Sequence, residues 1–190
     1  HKELLFALAE GIAVAGAASM GALRAAELRA FGMIGVGRIF EAYVSGRFPP
    51  FAAPFIDDDE VAIAHGPAEL GYPATDAMVD IRATLDRAVE ATVIELETAE
   101  AVAAVAKSLF YKDRSWPAVM QRAAAAGIAR AALVDLDTWL PTGKVAQKRL
   151  DAEALLKRIG AGDLPENRAT FRFERTLLWE EARGPAEALP

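Results

Sequence analysis

The chain has no cysteine in its 190 residues. That excludes disulfides, thiolate metal sites and a cysteine nucleophile, and it fits a cytoplasmic protein. Histidine is nearly as scarce, with His1 and His65 the only two. No apolar run approaches the ~18 residues a membrane helix needs; the richest, Leu4 to Ala9, is far too short. There is no excess of positive charge either. Lys and Arg number 21 against 27 Asp and Glu, a net charge of −6, which argues against a general nucleic-acid binder. No secretory signal is visible. The chain opens on His1 and the first helix starts at once, so a further N-terminal strand segment is expected upstream.

What is present is apolar material. At 53% hydrophobic, residues 1–190 have enough for one domain with a sizeable core. Lys2 to Glu10 is apolar nearly all round and reads as a buried helix closed by Gly11. Ile12 to Ala15 reads as a short buried strand and Met20 to Ala30 as an amphipathic helix. The glycines of Phe31 to Gly37 demand a turn. Arg38 to Ser45 is a short helix ended by Gly46, and the prolines of Phe48 to Phe55 make a loop. Glu60 to Ala64 alternates weakly and is assigned as a strand, and Gly66 to Thr75 as a loop. From Met78 the pattern is helical: Val79 to Val89, Glu95 to Phe110, Trp116 to Ala126, Ala129 to Trp139, Val145 to Ile159 and Glu174 to Ala182. The fold class is therefore α/β. Residues 1–90 carry a small parallel sheet with flanking helices, and residues 91–190 are mostly α-helical.

The informative stretch is "GIAVAGAASMGALRAAEL", residues 11–28. A lone hydroxyl, Ser19, stands between strand and helix among glycine and alanine. Gly16 and Gly21 have P-loop spacing, but Ala22 and Leu23 replace its lysine and hydroxyl, so nothing is left to hold a phosphate or magnesium. Gly35-Val36-Gly37 lacks the third glycine of a dinucleotide fingerprint. The remaining chemistry is a nucleophile elbow, usually G-x-S-x-G and here Ala17-Ala18-Ser19-Met20-Gly21. Small neighbours permit the sharp turn, and the N–H groups of Met20 and Gly21 would face an oxyanion. Two readings of Ser19 stay open on the residues alone, a helix N-cap and a nucleophile.

A nucleophile needs a base. His65 sits before a Gly-Pro turn, where a lone histidine is more often a hydrogen-bonded structural residue than a catalyst. Lys2 opens an apolar helix at the positive end of its dipole. Burial and dipole both disfavour the protonated amine, so Lys2 is a candidate base. Arg24, one turn beyond Ser19, is within reach of an anionic substrate, or forms an ordinary pair with Glu27. The run Asp57-Asp58-Asp59-Glu60 invites a magnesium reading. Consecutive acids on an extended segment point to alternate sides, so a solvated face that meets a basic partner fits better. No metal and no cofactor are expected.

Residues 1–41, "HKELLFALAEGIAVAGAASMGALRAAELRAFGMIGVGRIFE", with "DDDEVAIAHGPAELGY" at 57–72 and "MVDIRATL" at 78–85, strongly resemble the TfuA-like family; "FYKDRSW" at 110–116 is similar as well. Several motifs in one order carry the resemblance. It implies a partner of YcaO enzymes, which install thioamides in peptide backbones. It further implies hydrolysis of a thiocarboxylated, ThiS-like sulfur-carrier protein with release of sulfide, and help to the YcaO enzyme in engaging its peptide. A Ser–Lys pair is the implied site. It falls on Ser19 and Lys2, with Met20, Gly21 and Arg24 toward the oxyanion and substrate, and His1, Glu27 and His65 in support. Lys107, Lys112 and Lys144 are not excluded as the amine. The other class of reading is a non-catalytic adaptor in which Ser19 only caps a helix. "AASMGA" is also similar to the nucleophile strand of Clp-type peptidases, which need a catalytic histidine at a defined place, to which the sequence assigns no residue. A carrier tail requires a groove to Ser19, with Phe31 to Gly37 and Phe48 to Pro54 as the expected rims.

Overall fold

A side chain at position 16 would run into the backbone of Gly21 and the side chain of Met33. Glycine there lets a helix lie directly on a strand, and the first part of the fold is built on that contact. The computed structural model describes residues 1–67, 69, 75–165 and 171–183. Strand β1 (Ala15–Gly16) runs parallel to β2 (Ile34–Gly35), pairing Ala15 with Ile34 and Gly16 with Gly35. Parallel strands need a crossover, and α2 (Met20–Leu28) supplies it. The strand begins later than the apolar run predicts, because Ile12 lies 56% exposed ahead of the paired residues.

Helix α1 (Lys2–Ala9) departs from its expected burial. Only Leu8 is fully buried, packing with Ala25, Leu28 and Met33. Lys2 and Glu3 are exposed. Phe6 turns away from that cluster to Phe173 and Trp179, at ring-centroid distances of 5.6 and 5.2 Å. An apolar composition thus divides between two partners instead of sinking into one core.

Helix α3 (Arg38–Ser45) has the bounds expected from its flanking glycines. The mostly helical remainder centres on α4 (Met78–Glu90), where Met78, Val79, Ile81 and Leu85 are fully buried. Around it stand α5 (Leu96–Ser108), α6 (Trp116–Ala125), α7 (Arg130–Gly143) and α8 (Gln147–Gly160), with α9 (Leu177–Arg183) near the C-terminus. Alanines at 99, 103 and 106 let α5 approach closely. Helix α8 starts two residues later than its pattern suggests, because the Val145 N–H donates to Thr84 Oγ1 at 3.0 Å. No helix among the described residues is long and apolar enough to cross a membrane.

Three expectations are corrected. Neither Phe31 to Gly37 nor the Pro-rich loop lines the cavity at Ser19, and Phe48, Phe51 and Phe55 are buried in the main core. The expected strand at Glu60–Ala64 is a 3-10 turn, Asp58–Glu60, followed by irregular chain. Its acids form a solvated face only in part. Glu60 is fully buried and accepts from Arg82 Nε and Nη2 at 3.0 Å each, while Asp59 accepts from the buried Arg114 at 2.8 Å. Lys107 adds contacts of 3.0 to 3.2 Å with Asp57, Asp59 and Glu60. Buried cations must have counter-ions, and the run supplies them from the inside; Asp57 and Asp58 remain exposed. The expected loop Gly66–Thr75 lies mostly outside the described residues.

Candidate functional site

After β1 the chain turns within three residues. The Ser19 N–H donates to the Ala17 carbonyl at 2.8 Å, and Ala18 takes φ 69. This is a γ-turn with its central residue in the left-handed region, a rare and strained conformation for alanine. The Ser19 carbonyl then accepts from Ala22 and Leu23 at 3.0 and 3.3 Å, which starts α2. Ser19 therefore stands at the N-cap, but its hydroxyl makes no capping bond. Of the two readings the sequence left open, the position matches the first and the hydroxyl is not used for it. The leading N–H groups of a helix lack intrahelical acceptors, so those of Met20 and Gly21 present donors and positive potential beside the hydroxyl.

Ser19 opens on a cavity of about 580 Å³. Met20 stands beside it; Asp58, Asp59 and the segment Val61–Ile63 form one wall, with His65. Phe110 and Tyr111 form a lip, their rings 4.6 Å apart and Phe110 58% exposed. The cavity also holds Lys148, from the first turn of α8. Its ammonium donates to the Val61 carbonyl at 2.8 Å. Burial pulls the Lys148 amine below the ordinary lysine range, and the charge of Asp80 opposes that.

Lys107 behaves oppositely. Burial pulls its amine down, but hydrogen bonds and charge from Glu60 and Asp59 hold it above the ordinary range. It is a structural cation. Lys148, with one carbonyl partner and a depressed pKa, is the amine suited to accept a proton.

The remaining expected residues gather elsewhere. Lys2 is exposed, its amine 3.4 Å from Thr176 Oγ1, and it does not line the Ser19 cavity. Arg24 is engaged by Glu27 at 2.5 Å, and Glu27 contacts His1 Nε2 at 2.7 Å, so these three form a surface cluster of their own. Gly21 serves the close approach to Gly16. Met20, His65, Asp58 and Asp59 are brought to the cavity; Asp57 and Glu60 belong to the ion network around Lys107. Sequence reasoning missed Lys148 and gave Phe110 and Tyr111 no role. The "FYKDRSW" segment was a signal for the aromatics, whereas nothing around Lys148 distinguishes it from any lysine on a helix.

The model of the family described as TfuA-like protein matches residues 1–115, over half of the chain. The chain belongs to the TfuA-like family. The matched part of this TfuA-like chain takes in Ser19, the acidic run, His65, Phe110 and Tyr111, and stops short of Lys148. Membership gives it a role associated with YcaO-dependent thioamidation. No curated protein matches the chain.

Proposed function

We propose that this chain releases sulfide from the thiocarboxylated C-terminus of a ThiS-like carrier protein, through Ser19, in support of a YcaO enzyme. One observation carries the reading: an uncapped serine hydroxyl and a lysine amine with a depressed pKa open on the same cavity. The resemblance pointed to Lys2 as the amine. Lys148 takes that role here, because it lines the cavity and Lys2 does not.

The chemistry follows from the groups. Ser19 Oγ attacks the carbonyl carbon of the thiocarboxylate, and its proton passes to Lys148 Nζ. The N–H groups at the start of α2 stabilise the oxygen that gains charge. The C–S bond breaks and sulfur leaves with that proton as hydrosulfide. An ester joins Ser19 to the carrier. The neutral amine then takes a proton from water and hydroxide adds to the ester carbon; Lys148 returns that proton to the departing Ser19 Oγ, and the carboxylic acid so formed loses its own proton to solvent as the carboxylate. One water is consumed, and no cofactor enters the balance. Sulfide is a good leaving group, so no strong acid is required.

Sulfide released by the purified protein from a thiocarboxylated carrier is the test. Ser19→Ala should abolish release and leave folding intact, since only a hydroxyl is removed. Lys148→Arg should be as inactive as Lys148→Met, because a guanidinium does not give up its proton. Release should rise with pH through the depressed pKa of Lys148.

The adaptor reading also has an observation in its favour. Leu150, Leu156 and Ile159 on α8 are 48 to 66% exposed, apolar surface of the kind a protein partner covers. Full release by Ser19→Ala would leave that reading in possession.

A further inference from the structure

We infer that Asp80, a carboxylate of α4 set behind the cavity, is a positioning residue: it fixes the start of α8 and biases the Lys148 amine by its charge. The inference rests on the Ser19–Lys148 reading above and goes beyond it to a residue that touches neither substrate nor Ser19.

The geometry runs in one direction. Asp80 Oδ1 accepts the backbone N–H of Lys148 at 3.0 Å. Lys148 is the second residue of α8, where the backbone N–H has no partner within the helix. One turn along α4, Thr84 Oγ1 accepts the Val145 N–H. Two side chains of α4 thus determine where α8 begins. From that fixed start the Lys148 side chain reaches the Val61 carbonyl, in the cavity wall. A shift of α8 at its first turn moves the amine directly.

The charge acts on the same lysine. Burial, the largest influence, pushes the Asp80 carboxyl up to about 6. Two charged groups face it: Lys148 on α8 favours the ionised form, and Asp76 ahead of α4 opposes it. Above about pH 6 Asp80 is therefore ionised and favours the ammonium form of Lys148, against the burial that favours the free amine. Asp80 holds the base in place and at the same time restrains its basicity.

The two effects separate by substitution. Asp80→Asn keeps an acceptor oxygen for the Lys148 N–H and removes the charge. Its sulfide release should keep a plateau within about twofold of wild type. The rising limb should move to lower pH by roughly half to one unit, raising the rate at the foot of the limb about 3- to 10-fold. Asp80→Ala removes the acceptor as well, and its plateau should fall by about tenfold or more. A role in stability alone would lower the plateau and leave the midpoint where it is.

A second readout does not use activity. The pH at which Lys148 is half-maximally acylated by acetic anhydride, located by peptide mass spectrometry, should drop in the folded Asp80→Asn protein relative to wild type. An unchanged or raised midpoint in that titration overturns the inference. If the titration moves as expected while Lys148→Met still releases sulfide at full rate, the coupling stands and the catalytic reading of Lys148 is what fails.

Discussion

The two turns that meet at the cavity are made in opposite ways. The turn before α2 carries its own instructions: small residues from Gly16 to Gly21, a γ-turn on Ala18, and a serine whose position follows from the backbone alone. The turn before α8 carries almost none. Its geometry is imposed by Thr84 and Asp80 of α4, 61 and 68 residues away in the chain. Local chemistry presents the proposed nucleophile, and tertiary contacts present the proposed base. The first is written in a motif, and the second exists only once α4 and α8 pack.

The connection between these parts is strongest where charge is buried. Glu60→Ala would leave Arg82 in the core without its carboxylate and should cost about 3–5 kcal/mol, seen as a lower denaturation midpoint. A loss below about 1 kcal/mol would mean that the acidic turn is not held by its ion pairs. Asp151 sharpens the comparison from the other side. This buried residue of α8 accepts the Arg38 and Ile39 N–H groups at 3.1 and 2.8 Å, capping α3 from a distance. Asp151→Ala should cost about 1–3 kcal/mol. It should also lower sulfide release more than a surface change such as Glu153→Ala, since it loosens α8.

Smaller effects test the Ser19 turn itself. Ala18→Gly relieves the left-handed strain and should raise stability by about 1 kcal/mol, measured by urea denaturation. If the strained turn aims the hydroxyl, the same variant should release sulfide more slowly despite its stability. Asp58→Asn removes an exposed carboxylate from the cavity wall. It should tighten binding of the anionic carrier tail about twofold at low salt, with the gain lost as salt screens the charge.

How far the sequence could be read follows the same division. The bounds of α3 were legible from Gly37 and Gly46, and the serine joint from the density of small residues around it. A parallel sheet at the start and a helical second half followed from residue patterning, but the second strand, Ile34–Gly35, lies in the stretch Phe31 to Gly37 that the glycines marked as a turn. The acidic run was misread because its counter-ions Arg82, Lys107 and Arg114 lie 22 to 55 positions along the chain. Nothing local announces such a pairing, and four acids in sequence look solvated. Lys2 was named through the resemblance, and the apolar helix it opens suggested burial, whereas α1 divides its apolar side chains between α2 and the C-terminal segment. Lys148 was invisible for the converse reason. It stands among Gln147, Arg149 and Asp151 on an unremarkable helix, and its depressed pKa comes from burial that only the fold creates.

The central claim is that Ser19 and Lys148, from opposite ends of this comparison, form one reacting pair. Sulfide release from a thiocarboxylated carrier, measured side by side for Ser19→Ala, Lys148→Met and Lys2→Met, tests it most directly. The account predicts loss of release in the first two and release within about twofold of wild type in Lys2→Met, since a serine without its base is a weak nucleophile near neutral pH. Full release by Lys148→Met together with loss in Lys2→Met would contradict it and return the amine to α1.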